Sequence, residues 1–319
     1  MTRFGVALCT YNGTRYLREQ LESIAAQTRP PDLVVACDDA SNDGTVAQVE
    51  AWAVRVPFEV RIVRNPANLG YRRNFEQAIA QCDADLIALS DQDDAWHPEK
   101  LASLESAFAD PQAAGAFSDA EIVDEALRPL GYGLFDAMGV TEKERRLADA
   151  GRLLAVLLRR NIVAGAVFAF RGAWKNKLLP IPEGAVHDEW IALTIAAHGG
   201  LRLVQERLIR YRQHGGNQFG ARRKSVGERW RRLQTSPRAE TERLLALMRE
   251  LRRRIGAESS SSQSVPEVEG KIAHLQRRVS LGSARLLRLP PVLAELASGR
   301  YDRYSPGWRE AVRDLVSPM

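Results

Sequence analysis

Short apolar runs alternate with amphipathic stretches along the first two thirds of the chain. Phe4 to Thr10 (F-G-V-A-L-C-T) predicts a buried strand. Tyr11-Asn12-Gly13 follows as a loop, and Thr14 to Gln27 has apolar residues at helical spacing, stopped by Arg29-Pro30-Pro31. Strands are predicted again at Leu33 to Cys37, Val60 to Val63 and Leu86 to Ser90, with helices between them at Val46 to Val54 and Arg72 to Gln81. This alternation predicts an α/β domain with a mainly parallel central sheet flanked by helices.

Beyond it the pattern predicts a helix at Pro98 to Phe108, a strand at Ala114 to Phe117 and a helix over Thr141 to Arg160. Ile162 to Phe170 reads as a strand, or a strand with a bend at its glycine. A helix over His187 to Gly199, a last strand at Leu201 to Val204 and the loop Y-R-Q-H-G-G-N close this part. The expected division is a domain over 1–220 and a helical extension over 221–319, with a serine-rich linker near 258–264.

Polar clusters end several of the apolar runs: Thr10-Tyr11-Asn12, Asp38-Asp39, Asp91-Gln92-Asp93-Asp94 and His187-Asp188-Glu189. A buried strand cannot hold three carboxylates, so the run from Leu86 should stop at Ser90 and leave Asp91, Asp93 and Asp94 at the sheet edge. In a parallel sheet such ends share one side, where open α/β sheets bind ligands. Closely spaced carboxylates repel unless a cation sits between them, and hard oxygen donors suit Mn²⁺ or Mg²⁺. Caps and Asx turns explain the same residues without any ligand. Neither a P-loop nor a G-x-G-x-x-G fingerprint occurs. A phosphate-bearing ligand would then be held through a metal and cationic side chains.

The ordered segments V-A-L-C-T-Y-N-G, V-A-C-D-D-A-S-N-D-G-T, N-L-G-Y-R-R-N-F, A-L-S-D-Q-D-D-A-W-H-P-E-K-L, H-D-E-W and Y-R-Q-H-G-G-N resemble the family 2 glycosyltransferases of the GT-A fold. The similarity is greatest to the bacterial rhamnosyltransferase-like branch that builds cell-surface polysaccharides. It covers about residues 4 to 220, and the closing G-R-Y-D-R-Y-S-P-G-W-R-E-A-V-R-D-L is similar to the tail of that branch. The resemblance implies a metal-dependent, inverting transfer of a sugar, rhamnose first among the expectations, to a hydroxyl of a glycan or lipid-linked glycan. The implied donor is a dTDP- or UDP-sugar.

It also implies roles. Thr10, Tyr11 and Asn12 would line the nucleotide, and Asp38 or Asp39 would accept a hydrogen bond from the pyrimidine. Arg73 and Asn74 would contact the donor. Asp91 would face ribose and sugar, while Asp93, with Asp91 and His214, would hold the metal. Asp188 would be the catalytic base, with Glu189 as its rival. Two other readings stay open: a sugar-nucleotide pyrophosphorylase, and a non-catalytic, membrane-attached nucleotide-binding module.

Charge adds a second theme. The net charge of +5 divides into +10 over 221–319 and −5 over the rest. Arg222, Arg223, Lys224, Arg229, Arg231 and Arg232 surround Trp230. Arg249, Arg252, Arg253 and Arg254 accompany Leu244, Leu245, Leu247, Met248 and Leu251. This pattern suits an interfacial helix on anionic lipid, and equally a solvated helical hairpin or a contact between copies of the chain in a homo-oligomer. No nucleic-acid motif accompanies it. The three cysteines match no zinc pattern and suggest a reducing compartment. With no signal peptide and no apolar run of about 18 residues, the expected location is the cytoplasm, at the inner face of the plasma membrane.

Overall fold

A computed structural model describes residues 2–215, 235–256 and 264–318. The strands β1 (Phe4–Thr10), β2 (Leu33–Asp38), β3 (Glu59–Arg64) and β4 (Leu86–Ser90) alternate with helices α1 (Leu17–Ala25), α2 (Thr45–Ala53) and α3 (Tyr71–Gln81). Every residue of β1, β2 and β4 is buried, which is why each reads as an unbroken apolar run ended by polar residues.

Beyond β4 come β5 (Ala95–Trp96), α4 (Lys100–Ala107), β6 (Gly115–Val123), β7 (Pro129–Gly133) and three short helices, α5 (Leu134–Met138), α6 (Glu142–Asp149) and α7 (Leu153–Leu157). A 3₁₀ turn at Gly165–Val167 leads into β8 (Phe168–Arg171). Then follow α8 (Lys175–Leu178), α9 (His187–Ala196) and β9 (Leu201–Arg212).

The sheet order is β3-β2-β1-β4-β8-β6-β9-β5, with β7 paired to β6. β1 is parallel to both β2 and β4, so the chain reverses its direction of travel across the sheet between them. At such a switch point the two connections leave on opposite faces and open a crevice at the strand ends. Thr10 pairs with Asp38, and Leu8 with Ser90, so the loops that begin at Tyr11 and at Asp91 leave the same edge of the sheet, where Tyr11 meets Gln92.

Several expectations are corrected. The segment 141–160 is two helices, broken where Gly151 takes φ +70. The last strand runs to Arg212 because it has two jobs. It pairs parallel with β6 along its length, Gly115 opposite Leu201 and Val123 opposite Arg212. On its other edge its end also pairs antiparallel with β5, Ala95 opposite Arg210 and Trp96 opposite Ile209. That second pairing brings the segment after β9 to the acidic loop.

The extension contains α10 (Arg238–Ile255), α11 (Val265–Val279), α12 (Arg285–Ala297), α13 (Arg300–Tyr304) and α14 (Trp308–Val316). Leu245, Leu247, Met248 and Leu251 of α10 are buried in the same apolar cluster as the sheet. Arg254 lies 4.7 Å over the Trp190 ring, and its Nη2 donates to the Pro180 carbonyl over 2.7 Å. The leucine stripe expected at a membrane or between copies is therefore part of the core. The basic cluster Arg222, Arg223, Lys224, Arg229, Arg231 and Arg232 around Trp230 lies outside the described residues.

Candidate functional site

The crevice is built first from hydrogen bonds between loops. Gln92 closes a pair with Tyr11: the Tyr11 amide donates to Oε1 over 2.8 Å, and Nε2 donates to the Tyr11 carbonyl over 3.0 Å. Asn12 stands at φ +46 and accepts from the Asn42 amide over 3.0 Å. A cleft of about 580 Å³ opens here, lined by Tyr11, Asn12, Gly13, Gln92, Asp93 and His214 among others. It joins the end of β1, the D-Q-D-D loop and the segment after β9.

Asp38, Asp39 and Asn74 lie buried behind that cleft with internal partners. Asp38 accepts from Thr10 Oγ1 over 2.8 Å and from the Ser41 amide over 2.8 Å, an Asx-type turn. Asp39 accepts from Asn65 Nδ2 (2.9 Å), the Leu69 amide (2.8 Å) and the Gly70 amide (2.9 Å). It thereby pins the N-L-G turn, in which Gly70 takes φ +80. Asn74 Nδ2 donates to the Cys37 carbonyl over 2.9 Å. Arg73 lies on the surface of α3, ion-paired with Glu76 at 2.9 Å.

On the acidic loop, His214 Nε2 lies 2.8 Å from Asp93 Oδ2. The His214 ring packs 4.7 Å from that of Tyr16. Arg212 holds the loop from below: its Nε donates to the Asp93 carbonyl (2.7 Å) and its amide to Asp94 Oδ1 (3.0 Å). Asp188 sits in the first turn of α9. Its Oδ2 accepts from the Gly165 amide over 2.8 Å and its Oδ1 from the Glu189 amide over 2.6 Å. Gly165 is glycine for a packing reason, since a Cβ there would stand 2.6 Å from His187 Nε2. The His187 ring stacks on Phe75, 3.9 Å between centroids.

The electrostatics draw these pieces together. Burial, then Asp93 and Asp188, raise the Asp91 carboxyl to about 7. Burial, with Glu189 adding to it and amide bonds opposing it, raises Asp188 to about 7. Tyr211, on β9, is pushed well above its usual value by burial and then by Asp94, Asp91, Asp93 and Asp188. Four carboxylates from two distant chain segments thus act on one phenol. Glu189 turns elsewhere and pairs with Arg243 of α10 at 2.7 Å.

Two residues of this site escaped the sequence reading. Tyr211 becomes a site residue only because β9 runs on past Val204. Lys100 is completely buried under the acidic loop. Its Nζ donates to the Ala166 carbonyl over 2.7 Å and lies 3.6 Å from the Trp96 ring centroid. Burial lowers its ammonium to about 7, against the pull of Asp94 and Asp91. Its signal was the lysine of H-P-E-K-L so soon after the carboxylates.

Oxygen donors from Asp91 and Asp93 beside an imidazole fit Mn²⁺ or Mg²⁺ in type. Among the described residues, no three His, Cys, Asp or Glu side chains form a ready ligand set. The donor set is therefore one that a ligand's own oxygens would have to complete.

Residues 5–157 match the family model described as Glycosyl transferase family 2. An uncharacterized glycosyltransferase of Nostoc sp. is 24% identical over 222 residues, covering 67% of this chain and 66% of its own length. The dTDP-rhamnosyl transferase RfbG of Shigella flexneri is 33% identical over 98 residues, 30% of this chain and 34% of that one. The chain thus spans no more than about two thirds of either relative. Among solved structures, Staphylococcus aureus TarS 1-349 in complex with UDP-GlcNAc aligns with a TM-score of 0.60 at 16% identity, over 97% of this chain and 90% of that one. Mannosyltransferase PcManGT from Pyrobaculum calidifontis, in complex with GDP-Man and Mn²⁺, aligns at 0.51 and 18%, over 99% and 85%. The sheet order, the acidic loop at its switch point and these matches together identify residues 5–157 as a glycosyl transferase family 2 domain, in a chain with the GT-A fold.

Proposed function

We propose that the chain is a metal-dependent, inverting glycosyltransferase that moves a sugar from a nucleotide diphosphate to a hydroxyl of a glycan or lipid-linked glycan. The observation that carries this reading is the acidic loop Asp91-Gln92-Asp93-Asp94 directly after β4 at the sheet's switch point, where Asp93 meets His214 at 2.8 Å and Asp188 lies within electrostatic range of Asp91. Tyr11, Asn12 and Gln92 line the nucleotide side of the cleft, and Thr10 and Asp38 brace its floor through their mutual hydrogen bond. Asn74 and Asp39 hold the backbone that frames the donor, and Arg73 is the cation near it on α3. Asp91 faces the sugar.

Asp91, Asp93 and His214 would hold the divalent cation, with the diphosphate oxygens completing its shell. The chemistry such a cation would supply is neutralisation of the charge that develops on a departing diphosphate. Asp188 takes the proton of the attacking hydroxyl on one of its carboxylate oxygens. The Gly165 and Glu189 amides orient that carboxylate. Its ordinary value raised to about 7 makes it a base able to accept and release a proton near neutrality. Glu189 is the weaker choice because Arg243 already occupies it.

The donor favoured is dTDP-rhamnose, with a UDP-sugar second. The similarity to a dTDP-rhamnosyl transferase supports the first, and that to a structure in complex with UDP-GlcNAc the second. The described cysteines are all free and buried, which suits a reducing, cytoplasmic setting. A panel of nucleotide sugars, assayed for nucleotide diphosphate release with and without Mn²⁺, tests the reading. Release from none of them, with or without an acceptor glycan, would contradict it.

A further inference from the structure

In α12 and α14 the usual division between inside and outside is reversed. The inward face of α12 carries Arg288 and Glu295, which are 2% and 3% exposed. The inward face of α14 carries Glu310, Arg313 and Asp314. They belong to a buried ionic network. Arg278 of α11 makes paired bonds to Asp314 at 2.6 and 2.9 Å and one to Glu310 at 2.9 Å. Tyr301 Oη donates to Asp314 over 2.7 Å, and Arg288 Nη1 donates to the Ser317 carbonyl over 2.7 Å.

The outward faces are apolar. Leu286 is 80% exposed, Leu287 76% and Trp308 64%, and Leu289, Leu293, Val312 and Val316 are exposed with them. Leu286, Leu289 and Leu293 follow one stripe of α12, and Trp308, Val312 and Val316 one stripe of α14. The two helices pack against each other through a small cluster that includes Val292, Ala311 and Leu315. Scattered single exposed hydrophobes need no explanation, but two adjoining helices with apolar outer stripes do.

The charges left outside say what covers them. Every carboxylate of α12 and α14 is turned inward. The charged side chains these helices leave exposed are Arg285 and Arg309, both cationic. We propose that the α12–α14 pair is a membrane-docking face, with its leucines and Trp308 entering the interface and Arg285 and Arg309 meeting anionic lipid headgroups. Leucine and tryptophan at an interface, with arginines at its rim and no exposed acid on either helix (Asp302 of the linking α13 sits beside Gly307), match an amphipathic element that lies on a bilayer. Among the described residues no helix is long and apolar enough to cross a membrane, so these helices would lie on it. The proposal stands apart from the transfer reaction and is tested without turnover.

The test is flotation of the full chain with phosphatidylglycerol-containing vesicles and with pure phosphatidylcholine vesicles. The wild type should float with the anionic vesicles and be released by salt. Leu286→Glu combined with Leu293→Glu should weaken that partition at least about tenfold. Leu130→Glu, at an exposed leucine on β7, should leave it unchanged. Trp308→Glu gives a second, independent loss at the other helix. Wild type that does not float, or float fractions equal in wild type and both α12–α14 variants, overturns the proposal. So does a fall in oligomer size in these variants without any vesicle binding, which would make the face a contact between copies.

Discussion

Arg243 Nη1 donates to Glu189 Oε2 over 2.7 Å and so ties α10 of the extension to the first turn of α9. The neighbouring Asp188 is held instead by the Gly165 and Glu189 amides, within electrostatic range of Asp91 and Tyr211. Two adjacent carboxylates are thereby given different work. One anchors the extension to the domain, and the other, whose hydrogen bonds come from backbone amides, is the proposed base.

The first prediction separates them. Glu189→Gln keeps a hydrogen-bond acceptor for Arg243 but removes the ion pair, so transfer should stay within about threefold of wild type while stability falls by roughly 1–3 kcal/mol. Denaturant unfolding and a turnover assay on the same sample check both. An inactive but stable Glu189→Gln would reverse the assignment.

The second concerns the cation. Asp93→Ala removes a carboxylate and leaves His214 without its 2.8 Å partner. Calorimetry should find Mn²⁺-dependent nucleotide-diphosphate binding reduced at least about tenfold, and metal-free binding little changed. His214→Ala should show the same pattern to a smaller degree. Undiminished Mn²⁺-dependent binding in Asp93→Ala would remove it from the metal site.

The third concerns Lys100. Its Nζ bonds the Ala166 carbonyl, one residue from the Gly165 amide that orients Asp188. Lys100→Met keeps most of the volume but orphans that carbonyl, so unfolding should cost about 1–3 kcal/mol less. It should also lower turnover more than donor affinity, because the segment that aligns Asp188 loses its tether. Equal stability of Lys100→Met and wild type would deny the tether any role.

The fourth prediction follows from Asp188 itself. A carboxyl whose folded value is raised from 3.8 to about 7 favours folding while protonated, and that contribution is lost as pH rises through about 7. Asp188→Asn removes the buried charge and keeps an oxygen for the Gly165 amide. Its melting temperature should exceed that of wild type at pH 8, by about 2–4 °C for each kcal/mol gained, and the difference should shrink toward pH 5. A variant less stable than wild type at pH 8 would contradict the assigned burial cost.

The limits of β1 and β4 were legible to the residue, because strands buried on both faces are continuous apolar runs that end where charge begins. β9 was not, because Gln205, Glu206 and Arg207 are exposed and break its pattern before Leu208 resumes it. The start of β6 was legible at Ala114 to Phe117, but its continuation past the polar Ser118-Asp119 was not, nor were the largely exposed, glycine-containing β7 (P-L-G-Y-G) and the five-residue α5. The strand-end carboxylates were visible in the chain, but their partners were not. Nothing in D-D-A-S-N-D-G distinguishes Asp38, which closes a turn on Ser41, from Asp39, which reaches Leu69 and Gly70 about thirty residues on. Likewise, the stripe of α10 looked interfacial because amphipathic helices facing a core and facing a lipid share one pattern.

The most direct test of the central claim is transfer by Asp188→Asn with a nucleotide sugar that the wild type consumes in the presence of Mn²⁺. Donor affinity should be near that of wild type, and transfer to a hydroxyl acceptor should fall by about 10²-fold or more, the scale of a lost general base. The wild-type kcat/KM should rise with pH through about 7, where Asp188 gives up its proton. Transfer by Asp188→Asn at the wild-type rate, with the same pH profile, would contradict the account.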